Sequence, residues 1–208
     1  MRLQNRKYSF IRKFLILITV LLLYTGTVKI PKRATTTHRE NPPVAVLFPV
    51  VSTIEVPYRL NDFTAFKEAI AFKESQGKYE VVNTLGYLGK YQFGKATLKR
   101  FKIYDTAQFL KNPKLQESVF LAYCKVNKWI LRRDIKRCVG KTINGITITE
   151  SGILAAAHLG GAGNVKKYLR NNGTLDFSDA YGTSIASYMK KFAGFHVSDI
   201  EANRKAKV

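Results

Sequence analysis

The segment that begins at Asn61 constrains the fold most, because its apolar residues recur at a helical spacing. At about 100° per residue, Phe63, Phe66 and Ile70 fall within one narrow stripe. Either Asn61 or Asp62 can cap the start of this helix with its side-chain oxygen. A helix with one apolar stripe buries that stripe against other elements, so we expect a packed helical domain.

The later patterns are mostly helical too. Gly77 is expected to end the first helix, and Asn144-Gly145 predicts a small β-hairpin around Ile143 and Ile146. Further helices are expected at about 95–101, 105–110, 113–131, 150–171 with an interruption at glycines 160–163, and 179–192. Residues 147–150 have the spacing of a capping box for the fourth of these helices. The predicted fold is mainly α with a minor β-hairpin, over residues 57–196.

The N-terminal region predicts export. Basic residues precede an apolar run from Phe14 to Tyr24, which is typical of a signal peptide and short for a membrane span. Residues 1–27 therefore fit either a cleaved signal or a short membrane anchor, and the proline- and threonine-containing residues 28–56 are expected to be a linker. Residues 197–208 are expected to form a frayed basic tail.

The charge and the cysteines narrow the function classes. A formal net charge of +21 suits nucleic acid, an anionic membrane or an anionic wall polymer. Export argues against nucleic acid. In an exported chain Cys124 and Cys138 can form a disulfide or remain two buried thiols, and both alternatives stay open. Two cysteines and three scattered histidines argue against a structural zinc site, and we expect no metal-binding residues.

Glu74 is the most informative residue of the first helix. It lies eleven positions after Phe63, about 20° around the helix, and so continues the apolar stripe. Desolvation disfavours a charged carboxylate, so a carboxyl group in such a place can hold a proton near neutral pH and donate it to a leaving oxygen. The alternative is a side chain at the helix end that simply reaches water.

A segment rich in glycine and aromatic residues follows, from Asn83 to Gly94. Its tyrosines and Phe93 offer flat faces that can stack on sugar rings, and Asn83 and Gln92 offer amide donors and acceptors. Its three glycines allow the backbone to approach a ligand closely. The alternative is a glycine-rich loop whose aromatic residues only pack.

Four blocks in order resemble the lytic transglycosylase and goose-type lysozyme-like superfamily. They are Glu74-Ser75-x-Gly77, Gly86-x-x-Gly89-x-Tyr91-Gln92-Phe93-Gly94, Ala155 to Val165, and the fainter Tyr181 to Tyr188. Two residues depart from the family pattern, because His158 stands where Asn is usual and Phe93 where many members have Ile or Met. The resemblance is also close to variants found in phage tail and virion proteins.

The resemblance implies a lysozyme-like α+β fold and cleavage of the β-1,4 bond between N-acetylmuramic acid and N-acetylglucosamine in peptidoglycan. Glu74 would be the single acid/base and the products would be 1,6-anhydro sugars. Hydrolysis, for which Glu80 is the best second carboxylate, and a non-catalytic glycan-binding domain are the alternatives. The implied substrate-binding residues are Ser75, Asn83, Tyr91, Gln92, Phe93, His158 and Tyr188. We expect no cofactor, a monomer, and a place in the periplasm or cell envelope, with possible anchoring in the inner membrane.

Overall fold

The computed structural model describes residues 61–208. The predicted signal or anchor, the linker and the first residues of the predicted domain lie outside this range. The described part is mainly helical, as the sequence predicts. It contains helices α1 (Phe63–Ser75), α2 (Lys95–Arg100), α3 (Thr106–Leu110), α4 (Pro113–Cys138), α5 (Glu150–Arg170) and α6 (Ile185–Lys191), and strands β1 (Thr142–Ile143) and β2 (Ile146–Thr147).

Helix α1 begins and ends close to the predicted residues. The Asp62 carboxylate accepts a hydrogen bond from the Ala65 amide at 2.9 Å, which caps the helix. The helix ends at Ser75, because Gln76 takes the left-handed conformation and Gly77 follows it there with a φ of 79°. Phe66 and Ile70 are buried on its inner face.

Helix α5 is the centre of the fold. It packs against both α4 and α6, and every residue from Ser151 to Ala157 is buried. Small alanine side chains let the neighbouring helices approach this half closely. At Gly152 there is room for no side chain, since a Cβ there would lie 2.6 Å from the Met189 carbonyl oxygen of α6. The expected interruption is a kink at Gly161, whose φ is 77°.

The hairpin between α4 and α5 confirms the turn prediction. Thr142 pairs with Thr147 and Ile143 pairs with Ile146, and Asn144 and Gly145 both have positive φ in the turn. The capping-box prediction is wrong. Thr147 belongs to strand β2, and Thr149 caps α5 by accepting the Gly152 amide at 3.1 Å.

Two other boundaries differ from the prediction. Helix α4 continues to Cys138 rather than ending near residue 131. Helix α6 begins only at Ile185, because the Asp179 carboxylate accepts the amides of Tyr181 and Thr183 at 2.9 and 2.8 Å and folds that segment into a turn.

The C-terminal tail is attached to the domain. Val197 and Ile200 are buried, so the prediction of a frayed tail is wrong for these residues. The Lys128 ammonium of α4 donates to the Val197 carbonyl at 3.0 Å, and the Asn203 amide donates to the Lys125 carbonyl at 3.1 Å. The tail therefore packs along α4.

The two cysteines are both buried free thiols. They lie 14 residues apart on the same helix, which corresponds to about 21 Å of helical rise. A disulfide needs Cα atoms within about 7 Å of each other, so this geometry excludes a bridge between Cys124 and Cys138.

Candidate active site

Glu74 lies in the last turn of α1, at the base of a cleft. The hydroxyl of Tyr188, a buried residue of α6, donates a hydrogen bond of 2.6 Å to its Oε1 atom. Burial, together with the nearby Glu74 charge, raises the pKa of Tyr188, so the phenol stays protonated and remains a donor. One carboxylate oxygen is thus held in place, and the other is available to exchange a proton.

The cleft is open to solvent, and its space is about 510 Å³ when the open part is counted. Its walls come from the end of α1, the 83–92 segment, the middle of α5 and the loop before α6. The lining residues are Glu74, Asn83, Leu85, Tyr87, Gln92, His158, Leu159, Asp179, Ala180 and Tyr181. Four of the eight predicted site residues line it: Glu74, Asn83, Gln92 and His158. Tyr188 contacts the Glu74 carboxylate.

Asn83 shapes one wall of the cleft. Its side-chain oxygen accepts hydrogen bonds from the backbone amides of Leu85 and Tyr87 at 2.9 and 3.0 Å. The backbone amide of Asn83 donates to the Tyr87 carbonyl at 3.1 Å. These bonds fold the 83–87 turn, in which Gly86 has a φ of 79°. The turn presents Leu85 and Tyr87 as exposed apolar faces beside the cleft.

Gln92 is held in a strained but fixed conformation. Its φ is 50°, in the left-handed region that non-glycine residues rarely adopt. The side-chain amide donates to the Gly89 carbonyl at 2.9 Å, so its Nε2 atom is occupied within the loop. The Oε1 atom is the part of this side chain that can accept a hydrogen bond from a ligand.

Three further predicted binding residues lie outside the lining of the cleft. Tyr91 and Phe93 are buried at 0% and 2% exposure, so neither ring can stack on a sugar. The Ser75 hydroxyl donates to the Lys90 carbonyl at 2.8 Å and ties α1 to the loop. The expectation that the Tyr91 and Phe93 rings contact substrate is therefore corrected, because both rings support the wall of the cleft from behind. A substrate contact by Ser75, which is half-buried, stays a prediction.

His158 connects α5 to the same loop. Its Nε2 atom lies 2.9 Å from the Tyr91 carbonyl oxygen, which can only accept, so Nε2 carries the proton. Burial lowers the pKa of His158, against the opposing effect of the nearby Glu74 charge. The imidazole is then neutral, and its buried Nδ1 atom is an acceptor with no partner among the described residues.

A network of charged and hydroxyl groups anchors the loop behind the cleft. Glu117 of α4 accepts hydrogen bonds from Lys67, Tyr79, Lys90 and Tyr91 at 2.6 to 2.9 Å. Burial opposes the ionised form, but these four donors outweigh it and lower the pKa of Glu117 to about 2. The carbonyls of two of the anchored residues accept the bonds from Ser75 and His158, so the network positions the cleft wall.

Gly89 allows the loop to pack closely against α4. A Cβ there would collide with the buried Gln116 side chain, whose Oε1 atom accepts the Lys90 amide at 2.8 Å. The sequence interpretation, in which the glycines allow close approach to a ligand, is corrected at this position: the loop approaches α4.

Asp179 is a cleft residue that sequence reasoning missed. It lines the same cavity as Glu74, whereas Glu80, the expected second carboxylate, is exposed and outside the lining. Its Oδ1 atom accepts the two backbone amides of the turn before α6. The only sequence signal for it is the Asp-Ala-Tyr-Gly turn pattern, which marks a loop without indicating what the loop faces.

The two cleft loops touch each other. The Thr84 and Tyr181 hydroxyls lie 3.0 Å apart, although 97 residues separate them in the chain. This hydrogen bond joins the 83–87 turn to the 179–182 turn, and Tyr181 is 63% exposed. The position of the loops, and hence the width of the cleft, depends partly on this contact.

Within residues 61–208, no group of three or more His, Cys, Asp and Glu side chains has the arrangement of a metal site. In the same part of the chain, no helix has both the length and the apolar character that a bilayer crossing requires. Comparison with known proteins found no matching protein-family model, curated protein or solved structure.

Proposed function

We propose that this chain cleaves the β-1,4 bond between N-acetylmuramic acid and N-acetylglucosamine in peptidoglycan, as an exported, cofactor-free monomer with a lysozyme-like fold. The observation that carries the proposal is the Glu74 carboxyl group, held by Tyr188 at 2.6 Å and set in a cleft with amide and aromatic groups. The four ordered sequence blocks support it, since residues of all four meet at or behind this cleft.

Glu74 acts as the single acid/base. Because Tyr188 donates to Oε1, Glu74 exchanges its proton at Oε2. Glu74 first gives this proton to the glycosidic oxygen as the glycosidic bond breaks. The acetamido oxygen of the substrate stabilises the oxocarbenium-like centre, so no second enzymic carboxylate is required. Glu74 then takes the proton of the C6 hydroxyl, and a 1,6-anhydro ring closes.

Hydrolysis is the second candidate, and Asp179 is the observation that favours it. A second carboxylate in the same cleft can orient or deprotonate an attacking water. Asp179 uses Oδ1 for the loop and keeps Oδ2 available for this role. The two reactions give products that differ by one water, so the mass of the released fragments separates them.

A non-catalytic glycan-binding domain is the third candidate, supported by the exposed Leu85, Tyr87 and Tyr181 around the cleft. It would not require a carboxyl group with a dedicated hydrogen-bond partner. Gel zymography on peptidoglycan tests the catalytic proposal. The wild-type protein should clear the gel and Glu74→Gln should not, while circular dichroism shows that both are folded. Clearing by a folded Glu74→Gln variant would refute the role of Glu74.

A further inference from the structure

A second concave surface lies at the C-terminal ends of α4 and α5, beside the hairpin. Three cationic side chains line it, Arg137, Lys141 and Arg170, together with polar Thr142 and Asn172. Its space is about 570 Å³ when the part open to solvent is counted, and it shares no lining residue with the Glu74 cleft. No acidic residue lines it.

A buried carboxylate fixes the two arginines of this basic pocket. Asp134 is 2% exposed, and its oxygens lie 2.7 Å from Arg137 Nη2 and 3.2 and 3.4 Å from Arg170 Nε and Nη2. Each arginine side chain is about half exposed, at 50% and 53%. Part of each guanidinium therefore pairs with Asp134, and its other N–H groups remain free for a ligand.

The charge of the pocket is not balanced locally. Asp134 offsets one of the three cations, which leaves two positive charges at this surface. Cations at the C-terminal ends of helices stabilise the helix dipole, and one at the end of α4 and one at the end of α5 would be enough for that. The dipoles do not explain why two fixed guanidinium groups and a lysine line one cavity.

More cations extend the pocket along both helices. Arg133 lies one turn before Arg137 on α4, and Lys167 lies one turn before Arg170 on α5, both exposed. Across residues 61–208, 25 lysine and arginine residues stand against 12 acidic residues. The basic pocket is thus the concave part of a longer basic surface.

We propose that the basic pocket binds the phosphate groups of an anionic polymer, at a site separate from the Glu74 cleft. Planar guanidinium groups pair with phosphate oxygens through two parallel hydrogen bonds, and the lysine adds a point charge. The neighbouring cations suit a chain of phosphates rather than a single ion. Val139 is the one exposed large apolar side chain in the 132–143 segment, so this surface offers little area for insertion into lipid.

The test measures binding of sodium polyphosphate to the full chain by isothermal titration calorimetry at low and moderate salt. Lys141→Gln removes one pocket cation without touching Asp134. Arg137→Lys/Arg170→Lys keeps the charges beside Asp134 and removes the forked donors. A double variant of α2, Lys95→Gln/Lys99→Gln, removes two exposed charges elsewhere and is the control.

We expect Lys141→Gln and Arg137→Lys/Arg170→Lys each to raise the Kd for polyphosphate by about five- to tenfold. The α2 control should raise this Kd by less than about twofold. Equal weakening by the control would show diffuse attraction and overturn the proposal, as would no binding by the wild-type chain. Vesicles of phosphatidylglycerol and of phosphatidylcholine form a separate arm. Binding to the anionic vesicles without binding to polyphosphate would assign the surface to a membrane and also overturn the proposal.

Discussion

Glu117→Gln should cost the domain a large part of its stability at neutral pH, because Glu117 is the acceptor at the centre of the network behind the cleft. The substitution keeps the size of the side chain and removes the charge. Lys90, which is 4% exposed, would then keep only Glu68 at 2.7 Å and Tyr79 at 3.2 Å as side-chain partners. A buried ammonium that loses a carboxylate is strongly destabilised.

The magnitude follows from the pKa of Glu117. Its fall from 4.5 to about 2 corresponds to about 3 kcal/mol of stability. Because the pKa is lowered in the folded state, this contribution is fully present above about pH 4.5 and is lost as the pH falls towards 2. For a domain of this size, about 3 kcal/mol corresponds to roughly 6–12 °C in Tm.

The assay is urea denaturation of the wild-type and Glu117→Gln chains at several pH values from 7 to 2.5. We expect a difference of about 3 kcal/mol in the free energy of unfolding at pH 7, which shrinks below pH 4.5. Glu80→Gln removes an exposed carboxylate and should change stability by less than about 0.5 kcal/mol. A Glu117→Gln difference below about 1 kcal/mol at pH 7, or one independent of pH, would refute the reasoning.

Three other substitutions or treatments give clear expectations. Tyr188→Phe removes the hydrogen bond that fixes Oε1 of the Glu74 carboxylate, so kcat for glycan cleavage should fall by about fivefold or more while the variant stays folded; an unchanged kcat would count against a positioning role for this contact. Tyr181→Phe removes the hydrogen bond with Thr84 that joins the two cleft loops. The ratio of the cleavage rate on intact sacculi to the cleavage rate on a short glycan oligomer should then rise by roughly twofold or more. An unchanged ratio would show that this contact does not limit access to the cleft. The two cysteines of α4 should react with a thiol reagent only after unfolding, and reductant should not change Tm; a Tm lowered by reductant would contradict the free thiols.

The parts of the fold that depend on short sequence separation could be predicted. The α1 cap at Asp62, the end of α1 near Gly77 and the turn at Asn144-Gly145 each depend on neighbouring residues alone. The position of Glu74 on the apolar stripe of α1 is also a local property. These features are the ones that the structure confirms.

The end of α4 differs from the prediction for a reason distant in sequence, whereas the late start of α6 comes from the local turn at Asp179. The sequence pattern predicts that helix α4 ends near residue 131. The structure continues it because Asp134 is paired with Arg170 of α5, 36 residues later. Such a pairing leaves no trace in the local periodicity.

In the cleft too, the sequence indicates the residue types of the loops but not the directions of their side chains. Tyr91 and Phe93 belong to a segment that suits a sugar-binding loop, but Tyr91 donates a 2.9 Å hydrogen bond to Glu117 and both rings face the core. Asp179 enters the cleft only because its turn packs beside α1 and the 83–87 turn. Side-chain direction in loops is set by tertiary packing, which a pattern of residue types does not contain.

The most direct measurement of the central claim is mass analysis of the fragments that the purified chain releases from peptidoglycan, beside Glu74→Gln. We predict that the wild-type chain releases muropeptides with 1,6-anhydro ends and that the folded variant releases none, because Glu74 both donates and removes the proton. Fragments heavier by one water would assign hydrolysis and leave Glu74 as the acid. Release of the same fragments by Glu74→Gln, or none by the wild-type chain, would contradict the claim that Glu74 cleaves the glycan.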